Sequence, residues 1–148
     1  MSNTAITALV GGINFATTFG GLFFLMCIGR KIIFIVGGIL MTITLGLLSY
    51  FSFDHNTIGM ITCTLLFIAW FEFSTGTVLF PYIAEIMHDK AIGIAMFLNW
   101  FMALIMSVSI PFIVKSIQIG WIFAAFSIFA LIGTILNIIW LEETRGKT

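Results

Sequence analysis

The twelve charged residues cut the chain into long uncharged runs: 1–29, 32–53, 55–71, 73–84, 91–114 and 116–141. Crossing a bilayer takes about 20 mostly apolar residues in helical form. Four of these runs are long enough alone, and 55–71 and 73–84 suffice when joined across Glu72. The pattern predicts an all-α membrane protein with five transmembrane helices in one domain. They fall at approximately 5–27, 32–53, 58–87, 91–115 and 119–141, followed by a charged cytoplasmic tail at 142–148. The connections are short, so consecutive spans are expected to be antiparallel neighbours.

Composition narrows the class. Hydrophobic residues make up 61% of the 148 positions and charged residues 8%, against roughly 25% charged in an average soluble domain. Twelve charges could not cover the surface of a soluble domain of this size, which excludes an ordinary soluble enzyme, a nucleic-acid binder and a disordered tail. The formal net charge of zero leaves no polyanion-seeking field. Residues 1–29 have no basic start and are long enough to span, so they read as a span and not as a cleaved signal peptide. Cys27 and Cys63 are isolated within apolar runs and read as small packing residues. His55 and His88 lie in loops with no ligand partner nearby in sequence, and no metal or cofactor site is expected. No hydrolase, zinc-protease or phosphate-loop motif is present, and no enzyme activity is expected.

The cations set an expected orientation. Arg30, Lys31, Lys90, Arg145 and Lys147 fall on one side, and only Lys115 lies near the other. The positive-inside rule then puts the C-terminus in the cytoplasm and the N-terminus outside, in a multi-pass protein of the plasma membrane. On the cytoplasmic side, Arg30 with Glu85 and Glu143 reads as an interhelical ion-pair cluster or as solvated interface charge.

The polar residues inside the apolar runs carry the candidate chemistry. Glu72 lies near the middle of the third span, where a charge costs about 2.5–3.5 kcal/mol by insertion scales. It reads as a substrate or ion contact, the alternative being a carboxyl group that holds helices together. Asn14 and Asn99 lie inside the first and fourth spans, with Trp100 beside Asn99. Singly, each amide suits ordinary interhelical hydrogen bonding. Together, donors and acceptors on three spans with an adjacent aromatic suit a neutral polyol. Pro81 lacks an N–H and crowds the carbonyl of Thr77, which predicts a kinked or locally unwound third span. The hydroxyls of Ser74, Thr75 and Thr77 are placed to satisfy the freed backbone groups.

Five motifs then stand in an order that resembles the C-terminal part of the sugar porters of the major facilitator superfamily, the glucose-transporter-like proteins. Gly29-Arg30-Lys31 is similar to the turn between the eighth and ninth helices of that family. Phe71-Glu72 and Tyr82-Ile83-Ala84-Glu85-Ile86 resemble its tenth helix, and Asn99-Trp100 the pair on its eleventh. Glu143 to Thr148 resembles the signature after its twelfth, with Glu142 where the family has proline. Met26 and Cys27 stand where the family has aspartate and arginine, and Thr75 and Thr77 where it has prolines.

The resemblance implies a partial C-terminal half, helices eight to twelve, of a monosaccharide transporter working by alternating access. It implies sugar contacts at Asn14, Glu72, Asn99 and Trp100, and at Phe80, where the family usually has tryptophan. It implies a cytoplasmic charge network of Arg30, Glu85 and Glu143. The partners are then a hexose-like substrate, the lipid bilayer, and a missing N-terminal half or another transporter chain. A second reading is a non-transporting truncated protein that packs with or regulates a full-length transporter. A third is a carrier of organic ions, with Glu72 paired to a cation.

Overall fold

The computed structural model describes residues 3–27 and 29–141. Among these residues, the chain forms helices and short turns. Helix α1 spans Asn3–Cys27 and α2 Arg30–Phe53. The next long helix has three parts: α3 (Thr57–Phe71), a π-helical turn (Glu72–Gly76) and α4 (Thr77–Ile86). Helices α5 (Asp89–Ser116) and α6 (Ile119–Trp140) complete the bundle. Arg30–Phe53, Thr57–Ile86, Asp89–Ser116 and Ile119–Trp140 are each long and apolar enough to cross a membrane. Helix α1 has 25 residues without a charge, about 37 Å at 1.5 Å per residue. The arrangement is that of a multi-pass, all-helical membrane protein.

Local chemistry sets the tight turns. His55 takes a left-handed backbone conformation (φ 54°) between α2 and α3. Asn56 then caps α3, its side chain accepting from the Gly59 N–H at 3.0 Å. Gly59 packs on the Phe51 ring, where a β-carbon would approach to 2.7 Å.

Helix α2 is the hub. Its main partner is α6, and the two meet through small residues and hydroxyls, as membrane helices do when no water drives them together. Gly38 meets Thr134, Ser49 donates to the Gly120 carbonyl at 2.8 Å, and Ser127 donates to the Thr42 carbonyl at 3.0 Å. On its other side α2 packs against α4, with Ile33, Phe34, Val78 and Tyr82 forming the buried cluster. The Phe34 and Tyr82 rings meet edge to face, 5.8 Å between centroids. Helix α1 lies against α3, α4 and the π-turn. Helix α5 has no buried residue along its 28 positions.

Candidate functional site

The π-turn is the feature that places Glu72. A π-turn widens the hydrogen-bonding register by one residue and leaves some backbone carbonyls with poor partners. Two hydroxyls donate to carbonyls here: Ser74 to Trp70 at 2.8 Å, the usual four-residue back-bond of helical Ser and Thr, and Thr77 to Glu72 at 2.6 Å, across five residues. The expected irregularity in this helix therefore exists, but it lies N-terminal to the proline. Pro81 itself sits inside regular α4. The π-turn absorbs the misfit one turn ahead of it, and Thr75 takes no part in that repair among the described residues.

Neighbouring helices hold the turn from two sides. A β-carbon on Gly21 of α1 would lie 2.6 Å from the Thr77 hydroxyl, and one on Gly37 of α2 would lie 2.1 Å from the Ser74 β-carbon. Ser74 is fully buried and Thr77 nearly so. Glu72 is half-buried, its carboxylate folded back over Gly76, where a β-carbon would fall 2.8 Å from Oε2.

Asn14 lies at nearly the same depth. Gly21 marks the level of Thr77, and Asn14 precedes Gly21 by seven residues, where Glu72 precedes Thr77 by five. The two-residue offset is about 3 Å along the axis. Seven residues are two turns, so Asn14 shares the face of α1 that Gly21 turns toward the π-turn. Its half-buried amide makes no hydrogen bond among the described residues.

The other candidate residues make no hydrogen bond to this pair among the described residues. Asn99 and Trp100 are exposed on α5, Trp100 at 66%, and Phe80 on α4 is half-exposed. At the far end of α4, Arg30 Nη2 donates to Glu85 Oε1 and forms an ion pair. Glu143, expected in the same network, lies outside the described residues, as do Glu142, Arg145 and Lys147.

Two cavities flank the π-turn. One of about 420 Å³ lies among α2, α4, α5 and α6, and its polar lining includes Thr75, Tyr82, Thr134 and Asn137. Another of about 500 Å³ lies among α2, α3 and α6 and is walled mainly by Leu and Phe side chains. Thr75, Met41 and Ala130 line both. Sequence reasoning did not single out Asn137, and it gave Tyr82 only as part of a motif and not as a site residue. The available signal was an amide inside the last apolar run and a tyrosine one turn before Glu85.

The fold defines a multi-pass helical membrane protein with a polar turn inside one of its long helices. The comparisons are more specific: the family model for the sugar (and other) transporters matches residues 1–148, and the chain belongs to that family. A facilitated trehalose transporter homologue of Drosophila simulans is 27% identical over 96% of this chain and 32% of its own length. The glucose transport protein of a Synechocystis strain is 28% identical over 97% of this chain and 34% of its own. The inward-open structure of the xylose transporter XylE from E. coli superposes with a TM-score of 0.90 at 25% identity, covering 97% of this chain and 34% of that one. The chain thus spans about a third of the length of these relatives, which are transporters and not enzymes.

Proposed function

We propose that this chain is the C-terminal portion of a sugar porter. With further helices, from its own protein or another chain, it moves a monosaccharide of the hexose type across the plasma membrane by alternating access. The observation that carries the reading is Glu72, a carboxylate held half-buried by a π-turn at mid-helix with the Asn14 amide at its level. A sugar hydroxyl needs both a donor and an acceptor, and these two side chains supply them. Asn99, Trp100 and Phe80 stand exposed on α5 and α4 and are the further sugar contacts proposed. The names of the relatives, transporters of trehalose, glucose and xylose, support a sugar as substrate. Rocking of one half of a transporter against the other around a midplane site is the general mechanism of such folds. Arg30, Glu85 and Glu143 at the cytoplasmic ends would tie helices together in one state and release them in the other.

The test is uptake of labelled hexose into cells that express the gene from its full reading frame. Glu72→Ala and Asn99→Ala are expected to reduce uptake strongly at unchanged surface expression. Full uptake in both variants overturns the site. The lack of any buried position on α5 also suits a chain that packs against a complete transporter without transporting. Hexose uptake from the full reading frame in cells that lack other sugar porters separates the two readings: uptake supports the first, and none, with altered uptake by a co-expressed complete transporter, supports the second.

A further inference from the structure

Twelve glycines have described surroundings, and they fall into different kinds. Gly21, Gly37 and Gly38 are places where another helix comes close: a β-carbon there would strike Thr77, Ser74 and Thr134. Gly76 differs. The three atoms nearest its absent β-carbon are Oε2 and Cδ of Glu72, at 2.8 and 3.4 Å, and the Phe71 carbonyl at 3.4 Å. All belong to its own turn. Its backbone (φ −60°, ψ −43°) is ordinary right-handed helix, which any residue adopts. Neither a backbone requirement nor a neighbouring helix therefore calls for glycine at this position. What occupies the space is the carboxylate.

We propose that Gly76 is a positioning residue for Glu72: its missing side chain forms the seat in which the carboxylate lies folded against the π-turn. The assignment rests on the reading of Glu72 as a substrate contact. The seat is shaped from both sides. Thr77, pressed by Gly21, fixes the Glu72 carbonyl, and so the root of the side chain; Gly76 fixes where its tip can lie. In an α-helix, residues four apart lie one above the other. The wider π-turn displaces them, and Gly76 falls under the tip of the Glu72 side chain. A methyl group there would clash only with the far end of a flexible side chain, the Phe71 carbonyl lying at ordinary contact distance, so the helix tolerates it while the carboxylate must leave its seat.

The experiment is Gly76→Ala in the transporter expressed from its full reading frame, with two readouts. The first is the KM and maximal rate of labelled hexose uptake. The second is the rate at which dicyclohexylcarbodiimide labels Glu72, read by mass spectrometry without any sugar. The expected result is a rise in KM of about tenfold, the scale of weakening one hydrogen bond to a charged group, with the maximal rate little changed and Glu72 labelling altered severalfold. Adding Glu72→Asp, which shortens the side chain by one methylene, is expected to recover part of the lost affinity in the Gly76→Ala background. Where Gly76→Ala reaches the membrane poorly, Glu72 labelling in the folded, detergent-solubilised fraction carries the test, and labelling equal to the parent overturns the assignment. Unchanged KM and unchanged labelling in Gly76→Ala, with uptake lost in Glu72→Ala, overturn the role of Gly76 alone. Full uptake in Glu72→Ala overturns it together with the sugar reading.

Discussion

A β-carbon on Gly37 would fall 2.1 Å from the β-carbon of Ser74, so α2 meets the π-turn with no room for even one methyl group. The obstacle is the root of the Ser74 side chain, which cannot swing away as a long side chain does. Gly37→Ala must therefore push the helices apart. Overpacking of this kind costs about 1–3 kcal/mol. Thermal unfolding in detergent is expected to shift down by a corresponding amount, and Ser74→Gly in the same background is expected to recover most of the loss.

Thr77 offers a milder test of the same turn. Its hydroxyl donates to the Glu72 carbonyl, and Thr77→Val keeps the shape while removing the donor. Membrane hydrogen bonds average about 0.6 kcal/mol by double-mutant cycles. Thr77→Val is expected to lower stability by about that much, and Thr77→Ser to stay close to the parent. Equal losses in both variants would assign the effect to packing against Gly21.

The Arg30–Glu85 pair links the start of α2 to the end of α4. Its side chains are 22% and 34% exposed, so its contribution to stability is small, about 0.2–1 kcal/mol. Its value to the proposed transport cycle lies in being breakable. Arg30→Ala, Glu85→Ala and the double variant are expected to change uptake kinetics to a similar degree, because either loss removes the same link. Effects that simply add would show that the two residues act separately.

The proposed orientation is open to a labelling experiment. With the two cysteines replaced, His55→Cys is expected to react with an impermeant maleimide on intact cells. His88→Cys is expected to react only after permeabilisation. The reverse pattern inverts the topology.

The helical class was legible because an uncharged run of some 20 residues has few alternatives in a bilayer. The pairing of Arg30 with Glu85 was foreseeable from two opposite charges at the same end of adjacent spans. The π-turn was only half legible. Pro81 announces a defect, but its position depends on which residues neighbouring helices hold in place, and Gly21 and Gly37 are distant in sequence. The pairs Gly11-Gly12, Gly20-Gly21 and Gly37-Gly38 show the same limit. Gly11, Gly12 and Gly20 meet nothing within 4 Å, whereas Gly21, Gly37 and Gly38 are close approaches. Their sequence contexts look alike, and only the partner helix separates them. Counting residues places Asn14 and Glu72 inside their spans, but their common level rests on Gly21 meeting Thr77, and the seat over Gly76 on how the side chain folds.

Helix α5 has a further consequence. A helix without a buried position has little in this bundle that a substitution could disturb. Mutational tolerance along α5 should be nearly uniform for any apolar replacement unless something else rests on it. A saturation scan of residues 89–116 in living cells would then draw, position by position, the outline of whatever α5 meets there, and the intolerant stripe would be the footprint of a neighbour.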